Sequence, residues 1–113
     1  MRLMTLLLAG SLFAASGTAQ SGKIERGRYL AEEVAKCQDC HGQRMAGTAK
    51  SGASAPDITS AGALWKSWGE KGMLRFLETG KTPEGTLAAA PMPTYKLRRD
   101  DAEAIVAWLK SLH

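Results

Sequence analysis

The sequence predicts a small helical domain, and three observations carry that prediction. Apolar residues recur at three- and four-residue spacing in three separate stretches, 23–36, 70–79 and 100–112, with charged residues mostly off the stripe. No strand–helix–strand pattern is visible between them. The third observation is the pentapeptide Cys37-Gln38-Asp39-Cys40-His41. Its two cysteines lie on one face of a helical turn, with the histidine projecting beside them.

That pentapeptide is C-x-x-C-H, the pattern in which each thiol adds to a vinyl group of haem and the imidazole becomes an axial ligand of the iron. A four-ligand zinc site cannot be assembled, because the sequence holds only these two cysteines and one other histidine, His113. His113 sits at the end of the last helix, where fraying argues against a ligand role. A redox dithiol of the thioredoxin kind wants the strand–helix–strand context that is missing. One haem c bound through Cys37 and Cys40, with His41 on its iron, is therefore the reading adopted, and thiol redox chemistry is the alternative.

The 113 residues, 44% of them hydrophobic, are enough for one small domain. A leader precedes it. Met1-Arg2 is a short basic start, Leu3 to Ala15 is almost wholly apolar, and Gly17-Thr18-Ala19 supplies the small residues of a cleavage site. The expected division is a signal peptide over 1–19 and a domain over 20–113, with Ala15 a second acceptable cleavage position and a retained anchor the alternative. Export places the protein in the periplasm, where thioether bonds keep a cofactor from diffusing away and the cysteines are committed to haem rather than to a disulfide. Removing the leader takes away one basic residue, Arg2, and leaves fourteen basic against eleven acidic side chains. The basic residues are scattered and not interleaved with aromatics, so no nucleic-acid partner is expected.

Along the domain, Ile24, Gly27, Leu30, Ala31 and Val34 share one helical face. Gly27 inside a helix is unfavourable by roughly 1 kcal/mol relative to alanine. Either another helix approaches closely there, or Gly27 sits near a frayed start. The segment 42–62 is rich in Gly, Ala, Ser and Thr without apolar period, and a loop that long is read as wrapping the haem edge. Within it Ala55-Pro56-Asp57-Ile58-Thr59 is the piece expected to touch the cofactor, since a ligating histidine donates its second ring proton to an acceptor such as a free carbonyl. Met45, four residues past His41, is too near to reach the opposite side of the iron.

The helix 70–79 carries Met73, Leu74, Phe76 and Leu77 on its stripe, with Gly80 as its stop, so Met73 is read as core. Trp65 and Trp68 precede it, and an indole N–H there finds either a haem propionate or water. Met92 lies between Pro91 and Pro93, in a segment that cannot be helical, where core packing explains it poorly. A thioether suits haem iron, which makes Met92 the candidate sixth ligand. The last helix is expected to start at Asp100, with Glu103 completing a capping box, and to bury Ile105, Trp108, Leu109 and Leu112.

Taken together, Cys37 to His41, the 55–59 segment, Trp68 spaced before Gly80, Pro91-Met92-Pro93 and the closing helix resemble a class I monohaem cytochrome c across the whole domain. The resemblance implies an all-α fold with N- and C-terminal helices crossing near a glycine and the haem in a central cleft. It implies that Cys37 and Cys40 hold the haem, His41 and Met92 ligate iron, the Pro56 carbonyl bonds His41, and Trp68 approaches a propionate. Two departures are a longer spacing from Gly27 to Cys37 than in mitochondrial-type members, and Asp57 where asparagine is common. The part from Trp68 to Leu112 also resembles haem domains of periplasmic dehydrogenases.

The expected function is one-electron transfer and not catalysis, because two axial ligands leave iron no open position. Partners are then redox proteins, a donor dehydrogenase and an acceptor oxidase or reductase, met by a monomer or by a subunit of a redox complex with no membrane span after cleavage. The alternative is the cytochrome subunit of a periplasmic dehydrogenase or oxidase complex. A haem enzyme or gas sensor would require Met92 to be displaced. Lys96, Arg98 and Arg99 follow Met92 and either steer acidic partners or form a solvated turn.

Overall fold

The structure, a computed structural model, describes residues 14–50 and 53–113. Residues 1–13 of the expected leader lie outside this range, and the expected cut after Ala19 falls within the first helix. Among the described residues four α-helices follow one another: α1 (Ala14–Tyr29), α2 (Gln38–His41), α3 (Ala63–Thr79) and α4 (Arg99–Ser111). The class is all-α, with a two-stranded antiparallel ribbon, β1 (Thr48–Lys50) and β2 (Ala53–Ala55), inside the long loop.

The core forms where α3 and α4 meet the end of α1. Met73, Phe76 and Leu77 of α3 are buried with Ala102, Ile105, Val106, Trp108 and Leu109 of α4 and with Ala31. Helices α1 and α4 cross at Gly27. A Cβ on Gly27 would collide with the Ala104 carbonyl, so the missing side chain lets the two backbones touch. Arg26 to Asp101 at 2.8 Å and Lys23 to Glu103 at 3.7 Å flank the crossing.

Three elements differ from the pattern expected of them. The first helix does not run on regularly to Lys36 but widens into a π-helical turn over Leu30–Val34, where the Ala35 N–H reaches the Leu30 carbonyl at 2.8 Å. That turn takes up one extra residue. It absorbs the long spacing from Gly27 to Cys37, and it rotates Val34, expected on the apolar stripe, out to 60% exposure.

Helix α3 begins earlier than Glu70 and breaks at Gly69, whose φ of 70° and ψ of 173° only glycine adopts readily. Trp65 and Trp68 ride on the first piece, and the expected 70–79 helix is the second. Gly80, at φ 76°, closes it with an N–H bond of 2.7 Å to the Phe76 carbonyl.

Helix α4 starts at Arg99, one residue before Asp100, and its N-cap residue Arg98 makes no side-chain cap bond. The expected capping box is absent because Asp100 lies inside the helix and not at its N-cap, and Glu103 pairs instead with Arg99 at 3.1 Å and Lys23 at 3.7 Å. Asp100 and Asp101 still sit in the first turn, where the helix dipole favours negative charge.

Gly27→Ala tests the crossing. Alanine would gain about 1 kcal/mol of helix propensity, but an overpacked contact loses about 1–3 kcal/mol, and here the obstacle is backbone that cannot turn aside. The denaturation midpoint of the variant is expected to fall; a midpoint at or above the parent's would mean that the helices do not touch there.

Candidate haem site

Lys36, at φ 55°, turns the chain out of the first helix, and Cys37 starts the attachment turn. The Cys37 N–H donates to the Ala31 carbonyl at 2.9 Å, and the Gln38 amide donates to the Glu32 carbonyl at 2.8 Å. Both carbonyls belong to the wide turn, so the turn's altered bonding is completed by the attachment segment itself. The His41 N–H then bonds the Cys37 carbonyl at 2.9 Å, which winds Cys37, Cys40 and His41 into one turn of helix. The two cysteines form no disulfide; Cys40 is exposed and Cys37 half-buried. Burial pushes the Cys37 thiol up, with the neighbouring Cys40 adding to it against a smaller opposing pull from its own backbone.

His41 is buried, and its Nδ1 lies 2.8 Å from the Pro56 carbonyl. A carbonyl can only accept, so Nδ1 carries the proton in this bond and Nε2 is the ring nitrogen left for a metal. The loop between them is organised around this contact. The Gly47 N–H donates to the His41 carbonyl at 2.8 Å, and a side chain on Gly47 would crowd the Ala55 carbonyl and the Pro56 backbone. Thr48 Oγ1 donates to the Cys40 carbonyl at 2.7 Å. Met45 is wholly buried, and its carbonyl accepts from the Ile58 N–H at 3.0 Å. Beyond Pro56, Asp57 Oδ1 accepts from the Thr59 N–H at 2.8 Å and the Thr59 hydroxyl at 2.7 Å. Both bonds need only an acceptor oxygen, which asparagine also has, so the aspartate keeps the turn.

Met92 sits in an irregular segment, half-buried against the core cluster, with its N–H 3.3 Å from the Ala89 carbonyl. Trp68 is half-buried too, tilted 57° against Phe76 with ring centres 5.3 Å apart. Met73 is core, as its spacing indicates. Tyr95 was not legible as a site residue. Its hydroxyl donates to the Ala35 carbonyl at 3.1 Å, and burial, then the nearby Cys37 and Cys40, hold that phenol above its usual range.

The donor set suits a covalently held porphyrin. Two cysteines outside any disulfide share one turn with an imidazole whose Nδ1 is bonded to Pro56, a thioether stands in a non-helical segment, and Leu64, Trp65, Trp68 and Met92 are left partly uncovered by the protein's own core. A helical domain with these features belongs to the class of c-type haem proteins. The profile of the family described as Cytochrome c matches residues 24–113, and the chain belongs to that family. It is 34% identical over 105 residues to the fructose dehydrogenase cytochrome subunit of Gluconobacter japonicus, an alignment covering 77% of this chain and 21% of that one. It is 30% identical over 110 residues to a nicotinate dehydrogenase subunit of Pseudomonas putida, covering 82% of this chain and 9% of that one. The chain therefore spans a small part of the length of either relative.

As a cytochrome c the protein holds one haem c through thioether bonds from Cys37 and Cys40, and it transfers electrons. Haem supplies the one-electron couple of its iron. In a host that attaches haem, Cys37→Ala is expected to keep its haem on a denaturing gel through Cys40 alone, whereas the double variant Cys37→Ala/Cys40→Ala loses it. Haem stain surviving in the double variant would show attachment elsewhere.

Proposed function

We propose that the protein passes single electrons between periplasmic redox partners, with His41 and Met92 as the two axial ligands of its haem. The observation that carries this reading is the 2.8 Å contact of His41 Nδ1 with Pro56, which fixes the ring and leaves Nε2 to donate. Met92 is the thioether held outside any helix, and a Met ligand raises the reduction potential relative to a second histidine. With His41 and Met92 both bound to the iron, substrate chemistry there would be disfavoured and electron transfer would need little rearrangement. Trp68 is assigned to the propionate side through its indole N–H. Residues 1–19 are assigned to an export signal; among the described residues no helix is long and apolar enough to cross a membrane.

The names of the two relatives favour a second, narrower reading, in which this haem domain serves a periplasmic dehydrogenase as its electron outlet. Co-purification of the untagged chain with a larger dehydrogenase would support it, and isolation as a free monomer would favour a diffusing carrier.

Partner steering rests on fewer cations than the sequence suggests. Arg99 pairs with Glu78 at 3.3 Å and Glu103 at 3.1 Å, and Arg98 with Asp100 at 3.5 Å, so their charges are locally cancelled. Lys96 makes no ion pair among the described residues. Reversing Lys96 to Glu should slow electron exchange with an acidic partner several-fold at low ionic strength and hardly at all at high salt; equal rates at low salt would refute steering from this site. Met92→Ala is expected to lower the reduction potential and let the reduced protein bind carbon monoxide, which the parent does not. Identical spectra and potentials in parent and variant would remove Met92 from the iron.

A further inference from the structure

The segment 88–98 carries Met92 and is thinly held around it. Ala89, Ala90, Pro91 and Pro93 are exposed, and the Met92 N–H makes only the long bond to Ala89. Two contacts further along fasten the segment to α3. The Leu97 N–H donates to the Leu77 carbonyl at 2.9 Å, and the Thr94 methyl lies against Gly80. One bond reaches the other way. The Tyr95 hydroxyl donates to the Ala35 carbonyl at 3.1 Å, at the exit of the wide turn that leads into Cys37. Among the described residues it is the only hydrogen bond between 88–98 and 30–41.

Ala35 lies at the end of the first helix, where carbonyls lack partners within the helix and take them from elsewhere. The Tyr95 ring is a separate anchor, lining an apolar notch with Leu30, Ala35, Leu97 and Ile105. Ring and hydroxyl can therefore be tested apart.

We infer that Tyr95 is a positioning residue for Met92: its hydroxyl ties the thioether-bearing segment to the helix end that enters the haem-attaching turn. The inference rests on Met92 being the sixth ligand. Three residues of extended chain reach at most about 10 Å, so a fixed Tyr95 confines Met92 to a small volume and lowers the entropy lost when the thioether takes its place. Sparsely bonded segments open before the rest of a fold does, and the bond to Ala35 is the link that opposes opening toward the haem-bearing side.

Imidazole, titrated into the purified ferric holoprotein, competes with the thioether for iron and so reports how often Met92 lets go. Tyr95→Phe keeps the ring and removes one hydrogen bond, whose net effect is about a factor of five in an equilibrium constant. The apparent imidazole affinity of Tyr95→Phe should rise by about that factor, with haem still covalently attached. Ser111→Ala removes a comparable hydroxyl, bonded to the Trp108 carbonyl at the end of α4, and should leave the affinity unchanged. Equal affinity in Tyr95→Phe and parent would overturn the inference, as would an equal rise in Ser111→Ala, which would mark general loosening. A parent ferric spectrum without the thioether–iron band that Met92→Ala abolishes would instead overturn the assignment of Met92, and Tyr95's role with it.

Discussion

The hydrogen bond from His41 to the Pro56 carbonyl is the constraint on which the rest of the site depends. A buried imidazole needs a partner for its N–H, since leaving it unpaired would be unfavourable by about 1–3 kcal/mol. Pro56 follows directly on β2, past the end of its pairing with β1, and its carbonyl accepts from His41. Much of the loop can be read as support for that one acceptor. Gly47 passes close enough to the Pro56 backbone to hold it near His41, Met45 anchors the loop in the core, and the Asp57–Thr59 turn fixes the chain just beyond Pro56. The result is an imidazole whose tautomer and orientation are settled by the fold before any metal is considered.

The second constraint is the contact between α1 and α4. Gly27 fixes where the helices cross, and the wide turn over Leu30–Val34 then fixes how the chain arrives at Cys37. The two are coupled through a few residues of continuous helix. A regular α-helix of the same length would rotate Cys37 relative to the crossing, so the extra residue serves as an adjustment between a packing requirement and a covalent one. The hydrogen bonds from Cys37 and Gln38 back to Ala31 and Glu32 hold that adjustment in place.

Those parts that rest on local chemistry could be read from the residues. Gly80 ends its helix, Met73 is core, and Gly27 marks a backbone contact because each consequence follows from one side chain, or its absence, at one periodic position. What escaped reading depends on partners distant in the chain. Helical periodicity assumes a constant turn, so the π-helical turn that exposes Val34 and the break at Gly69 were invisible to it. A capping box is proposed from four residues, but the helix starts one residue earlier, which puts Asp100 inside it and leaves Glu103 to pair with Lys23 and Arg99. Tyr95 meets Ala35 across sixty residues, and no spacing rule relates them.

The same distinction between local and distant partners bears on the charge of the protein. Surface ion pairs add little stability, roughly 0–1 kcal/mol each, but they cancel charge where they form. The acids of α1, its wide turn and α4 are mostly committed to such pairs: Glu25 and Glu32 with Arg28, Asp101 with Arg26, and Glu103 with Lys23 and Arg99. Cations without an ion pair among the described residues include Lys36, Arg44, Lys66, Lys71, Arg75, Lys81 and Lys96. Lys36 adjoins Cys37, Arg44 lies three residues past His41, Lys66 stands between Trp65 and Trp68, and Lys96 lies four past Met92. Part of the unpaired positive charge thus lies in the segments proposed to hold the cofactor, with the rest on the second piece of α3 and the turn after it, while the charges at the helix crossing are paired. A carrier that must meet an acidic partner by its haem-bearing side is served by that arrangement, because an uncancelled field acts over about a Debye length, roughly 8 Å at physiological salt.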